Sequence, residues 1–235
     1  MSGGFAPAGE SGGFAPAGES GGTPAGESGG TPADRTVHPI ETESYRIMRS
    51  RADFAHFPPL ARAVVERVVH TTADPSWTGE VVAGETALRA GRAALLDGAP
   101  LITDVRMVAA GITARPAEIG LDRSGVAEFA ATAGLTRSAA GIRLAAEEHP
   151  DGAVWAIGNA PTALFELIRL AETGRLNPAL VVGVPVGFVG AVDAKAALRR
   201  SGLPAVTTLT ERGGAAIAAA AINALLYWAE PGGNR

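Results

Sequence analysis

Apolar positions along the chain follow two rhythms. Between residues 60 and 70, LARAVVERVVH sets Leu60, Val64, Val65 and Val68 on one face. That spacing predicts an amphipathic helix ending at His70. Upstream, ETESYRIMRSRA predicts a helix over 41–52 with Thr42 or Ser44 as caps. FPPL at 57–60 separates the two, because proline cannot continue a helix. Beyond residue 84 the rhythm changes to short apolar runs that read as strands: PLITDV (100–105), AEIGLD (117–122), AVWAIG (153–158), ALVVGV (179–184) and AVTTL (205–209). Ala-rich helical stretches are predicted around them, over 85–97, 107–112, 126–148, 161–174, 191–200 and 214–228.

Strands alternating with helices imply a parallel sheet covered on both faces. The runs lack polar alternation, as strands buried on both sides do. The expected fold is therefore α/β: a flavodoxin-like, doubly wound parallel sheet of about five strands, preceded by an N-terminal helical segment. Ligands in such folds bind beyond the carboxyl ends of the strands. This directs attention to the loops 104–115, 158–162, 184–190 and 210–214, which carry Asp104, Gly158-Asn159-Ala160-Pro161, PVGFVG and Arg212-Gly213-Gly214. Glycines there let backbone approach a ligand, with helix N-terminal N–H groups facing it.

The first residues follow neither rhythm. GGFAPAGES, GGFAPAGES, GGTPAGES and GGTPAD repeat with almost no large apolar side chain, too little to offset the entropy of ordering. We read residues 1–36 as a disordered tail, 37–229 as one domain and 230–235 as a flexible C-terminus. Four of the 24 acidic residues and none of the 20 basic ones lie in residues 1–34, so the remainder is electrically balanced. A balanced body has no basic footprint for nucleic acid or an anionic membrane. The N-terminus has no signal-peptide pattern, and no apolar run reaches the roughly 18 residues of a membrane helix. The expected compartment is the cytoplasm.

The chain has no cysteine, which excludes disulfides, thiolate nucleophiles and Cys-ligated metals. Its four histidines are not at metal-ligand spacing. PVGFVGA lacks the full G-x-G-x-x-G of a dinucleotide site, and neither a P-loop nor a G-x-S-x-G elbow occurs. Arg67 stands one turn before His70 on the same helical face. A helix C-terminus favours imidazolium while a neighbouring cation opposes it, a balance suited to proton donation near working pH. Spacing alone favours a capping or surface histidine over a catalytic one. Arg137 and Ser138, in GLTRSAAG, could engage a carboxylate or stand on a solvated helix surface.

Seven motifs in order give the chain a more specific resemblance. These are ESYRIMRSRADF (43–54), RVVHTTADP (67–75), TDVRMVAAGIT (103–113), TRSAAG (136–141), AIGNAPTALFELI (156–168), VVGVPVGFVGAVDAK (181–195) and RGGAAIAAAAINAL (212–225). Together they resemble the precorrin-8X methylmutase (precorrin isomerase) family and its cobalt-precorrin-8 counterpart, over about residues 40–226. The resemblance implies a 1,5-sigmatropic methyl migration on ring C of precorrin-8X, giving hydrogenobyrinate in cobalamin biosynthesis. It implies no cofactor, no protein-bound metal and a homodimer, for which the apolar helix 214–228 offers an interface. His70 matches the family's proton-handling histidine. Ser44, Arg67 and Arg137 match positions expected to contact the acidic side chains of the macrocycle, and Ser138, Thr113 and Asn159 are further polar lining candidates. Departures are a shortened segment after Thr113, the closing TERGG where the family carries another arginine, and the repeat tail. A non-catalytic corrinoid carrier and a flavin- or nucleotide-binding protein are the competing readings.

Overall fold

The computed structural model describes residues 38–229. The tail assigned to 1–36 and the C-terminal segment 230–235 lie outside the described residues. Helices α1 (Pro39–Arg51) and α2 (Pro59–Thr72) come first, then the short strand β1 (Val81–Ala83) and α3 (Glu85–Leu96). The alternating part follows as β2 (Leu101–Thr103), α4 (Arg106–Gly111), β3 (Glu118–Ile119), α5 (Val126–Ala133), α6 (Arg137–Glu148), β4 (Val154–Ile157) and α7 (Pro161–Glu172). It ends with β5 (Leu180–Gly183), α8 (Ala191–Arg200), β6 (Ala205–Thr208) and α9 (Ala215–Tyr227).

The sheet order is β1-β6-β5-β4-β2-β3. All pairings are parallel except that of β1 with β6. Without β1, the five parallel strands stand in the flavodoxin-like order 2-1-3-4-5. Alternate strand residues feed different cores. Leu101, Val154, Ala156, Leu180, Val182 and Val206 join the cluster containing α2, α3 and α9. Ile102, Trp155, Ile157 and Val181 join the one containing α6, α7 and α8. Both faces are dry, which is why the strands show no polar alternation.

Several boundaries differ from the sequence expectation for local reasons. The sheet has six strands rather than five, because β1 adds an antiparallel edge. The helical region expected over 126–148 consists of two helices, since Gly134 takes a left-handed φ of 64° and the Thr136 side chain caps α6 by accepting from Ala139 N–H. Neither Thr42 nor Ser44 caps α1; His38 does, through its ring nitrogen. Helix α2 runs on to Thr72 and stops at Ala73, so His70 lies in its last turn rather than at its end.

The Ala-rich helix is also placed differently from its suggested role as an interface. Ile217 through Leu226 are all buried, which makes α9 the central helix of one core. Small side chains let neighbours come close. A Cβ on Gly111 would stand 2.7 Å from that of Ala219, so α4 can pack there only with glycine. No helix among the described residues is long and apolar enough to cross a membrane.

Candidate active site

Helix α1 presents Glu41, Ser44, Tyr45 and Met48 at i, i+3, i+4 and i+7, a single stripe. Met48 at its end is buried in the core that α2 shares. From α2, Arg67 and His70, three apart, meet the rest of this stripe. Ser44 Oγ lies 3.1 Å from His70 Nδ1. The Tyr45 ring stacks on the imidazole, centroids 4.7 Å apart and planes within 12°. Arg67 Nη1 donates to Glu41 Oε1 at 2.8 Å and to the Tyr45 hydroxyl at 3.4 Å. Burial alone would lower the Arg67 pKa, but the Tyr45 and Glu41 contacts hold it above its usual value. The guanidinium therefore stays charged.

Glu41, Ser44, Arg67 and His70 line a cavity of about 650 Å³. His38, Ile40, Glu41, Ser44, Arg67, His70 and Thr71 form one wall, and Gly111, Ala216, Ala219, Ala220 and Asn223 the other. The second wall is almost featureless because α9 contributes alanines, leaving room for a broad, flat ligand. Asn223 is its polar exception. Its side chain donates to Gly111 O at 2.8 Å and accepts from Thr113 N–H at 3.0 Å, tying the end of α4 to α9. A smaller cavity of about 100 Å³ reaches His70 from the side of Met48, Arg51 and Pro75. A separate cavity of about 470 Å³ beside Arg49, Arg51 and Arg62 contains no histidine.

Of the seven residues singled out from sequence, the structure brings Ser44, Arg67 and His70 into one cavity. Thr113 stands behind it, bonded to Asn223 and with its hydroxyl 3.1 Å from that of Tyr227. Arg137, Ser138 and Asn159 do not line it. Arg137 is exposed in the first turn of α6. Asn159 sits in the loop before α7, its N–H donating to Asp104 Oδ2 at 2.9 Å. Tyr45, Glu41 and Asn223 were missed. Ser44 and Tyr45 stand three and four residues after Glu41, and Asn223 is the one amide in an otherwise apolar helix; those were the available signals.

The sheet's switch point, between β2 and β4, is where flavodoxin-like proteins hold a nucleotide. Here the position is taken by the protein itself. Asp104, fully buried at the end of β2, accepts from the N–H groups of Gly158, Asn159 and Ala160 at 3.1, 2.9 and 2.8 Å. A carboxylate thus fills the donor nest that a phosphate would use. Burial pushes the Asp104 pKa up while the three N–H bonds pull against it. This occupied nest removes the main structural support for a nucleotide site.

The closing loop also has its own anchor. The Arg212 guanidinium pairs with Asp74 and Ser76 and stacks on Trp77, 4.2 Å from the ring centre. It thereby fastens the loop after β6 to the segment that follows α2. From beneath, the Lys195 ammonium donates to Thr208 Oγ1, to Arg212 O and to Thr210 O. Elsewhere, Glu118, Glu148 and His149 come within ligating distance of one another. Arg123 pairs with both carboxylates, so a guanidinium already serves the group as counter-ion.

The chain is similar to known proteins along most of its length. Residues 39–228 match the family model described as precorrin-8X methylmutase. The chain is 41% identical to the cobalt-precorrin-8 methylmutase of Methanocaldococcus jannaschii over 167 residues, 71% of this chain and 79% of that one. It is 39% identical to the precorrin-8X methylmutase of Pseudomonas aeruginosa over 194 residues, 79% of this chain and 93% of that one. Among solved structures it resembles the precorrin-8X methylmutase of Thermus thermophilus, with a TM-score of 0.73 and 34% identity over 80% of this chain and 96% of that one.

Proposed function

The chain belongs to the precorrin-8X methylmutase family, and from that premise we propose that His70 is the proton donor of its isomerisation. It is an isomerase of cobalamin biosynthesis acting on a tetrapyrrole. The reaction we assign is the 1,5-sigmatropic shift of a methyl group between adjacent carbons of ring C, converting precorrin-8X to hydrogenobyrinate. Substrate and product are isomers, so the protein must hold the macrocycle, place a proton and exclude competing reactions.

The observation that carries this reading is the contact of His70 Nδ1 with Ser44 in a cavity that also contains Arg67. With Nδ1 engaged by the serine hydroxyl, proton delivery falls to Nε2, the other ring nitrogen. A proton placed on the macrocycle's conjugated system draws electron density toward itself and eases methyl migration, a general-acid contribution of about 10²–10⁴-fold. Arg67 receives a peripheral carboxylate of the substrate, and the alanine wall of α9 accepts the flat face. Thr113 acts through Asn223.

Arg137 and Ser138, in the first turn of α6, and Asn159, in the loop before α7, meet the substrate's edge beyond the cavity. Gly158 packs against Ala215 and Ala218, which sets the Asn159 loop beside the helix lining the cavity. We further assign a cytoplasmic homodimer. Phe188 and Val189, 94% and 89% exposed in the loop after β5, lie beside exposed Val186 and offer an apolar contact in place of α9. Sedimentation of Phe188→Asp as a monomer would support that surface; an unchanged mass would exclude it.

The decisive test is incubation with precorrin-8X while the visible spectrum is followed. Conversion to the hydrogenobyrinate chromophore is expected. Binding without conversion would instead identify a corrinoid carrier.

A further inference from the structure

A cavity built for a polycarboxylate has a carboxylate in its own wall. Glu41 is the one acidic side chain among the residues that line it. It pairs with Arg67, and both side chains are under one fifth exposed, at 14% and 18%. The contact is one-pronged: Nη1 alone reaches Oε1, at 2.8 Å, and the same nitrogen also reaches the Tyr45 hydroxyl at 3.4 Å. A guanidinium presents five N–H groups in a planar fork whose preferred partner is a carboxylate bound through both oxygens.

We propose that Glu41 is an internal stand-in for a substrate carboxylate, which it yields on binding and reclaims on product release, so that it sets the affinity of the site. This rests on the reading that Arg67 binds a substrate carboxylate. Without a counter-ion, a guanidinium as little exposed as Arg67 would be costly in the empty site. A one-pronged partner on the first turn of α1 satisfies it without competing strongly. An incoming carboxylate bonding through both oxygens then replaces it, and Glu41 swings toward solvent. Part of the binding energy is spent on that exchange. The result is weaker ground-state binding of substrate and product alike, which favours turnover over retention.

Two measurements test the exchange. In steady-state assays with precorrin-8X, Glu41→Gln should lower KM about five- to tenfold, and tighten hydrogenobyrinate binding by a similar factor, the equivalent of roughly 1–1.4 kcal/mol. The gain should vanish when Arg67 is already replaced by Met, because the exchange needs both partners. A higher KM for Glu41→Gln would overturn the proposal and make Glu41 a support that aims Arg67. If Arg67→Met alone leaves KM and product affinity unchanged, the reading of Arg67 itself fails, a result distinct from either outcome for Glu41. A crystal structure of the wild-type chain with hydrogenobyrinate needs no variant to fold. A product carboxylate on Arg67 with Glu41 displaced supports the exchange, and an intact Glu41–Arg67 pair beside bound product sinks it.

Discussion

Tyr45 lies flat against His70, ring centroids 4.7 Å apart, while the preceding residue, Ser44, holds the imidazole edge through Nδ1. Two consecutive residues of one helix therefore fix both the plane and the edge of a ring carried by another. The Tyr45 hydroxyl also accepts from Arg67, so the proton donor and the carboxylate anchor share one support.

Tyr45→Leu removes the stack but keeps an apolar side chain. Ring pairs of this kind contribute about 0.5–1.5 kcal/mol beyond their buried area. Loss of orientation should lower kcat by roughly three- to tenfold with a smaller effect on KM. Tyr45→Phe keeps the stack and should recover most of kcat, leaving a change in KM through Arg67. If Leu and Phe behave alike, the ring is not what positions His70.

His70→Ala removes the proton source and leaves the cavity walls in place. Single-turnover rates should fall by about 10²–10⁴-fold, with product affinity measured by spectral titration changed only a few-fold. His70→Ala turning over within tenfold of wild type would place the proton source elsewhere.

The parallel strands β2, β4, β5 and β6 were legible because each is an apolar run flanked by helices; β3, only Glu118–Ile119, was a weaker signal. β1 was not: Val81–Ala83 is three residues long, and its strand character comes from pairing with Val206–Thr208. The break between α5 and α6 was written in Gly134 and Thr136, a left-handed stop followed by a cap. Reading 126–148 only as a helical region left both signals unused. At the site, motif order pointed to His70, Ser44 and Arg67, whereas periodicity alone left His70 undistinguished. Glu41 and Tyr45 escaped because their meaning depends on which face of α1 meets α2, a tertiary fact. The polar strand-end loop around Asn159 proved in part self-satisfied: Asp104 consumes the N–H groups that sequence reading offered to a ligand.

That self-satisfaction makes Asp104→Asn informative. Both carboxylate oxygens of Asp104 accept bonds, and an amide would replace one of them with a donor aimed at N–H groups. At least one buried N–H then loses its partner, at about 1–3 kcal/mol each. The variant should lose roughly 2–4 kcal/mol in denaturant unfolding, and amide exchange should speed up at Gly158–Ala160. Wild-type stability would show that the nest is readily satisfied by water.

Lys195 gives a test that depends on pH. Its side chain is fully buried in α8, and its ammonium meets three oxygens in the β6 loop. Burial, the largest influence, pushes its pKa down from 10.5 to about 8. The unfolded chain therefore binds a proton on this lysine between about pH 8 and 10.5 that the folded chain has released. Stability contributed by the lysine must rise with pH across that window and be flat below it. Lys195→Met removes the titration, and at pH 7 it strands the Thr210 and Arg212 carbonyls, at a cost of about 1–3 kcal/mol each. Guanidinium unfolding of both proteins at pH 7, 8, 9 and 10 isolates the effect from every other titrating group. The wild-type advantage should widen by on the order of 1–3 kcal/mol between pH 8 and 10. An advantage that narrows as pH rises would mean that the three oxygens hold the ammonium more firmly than water does, and that burial does not govern this lysine.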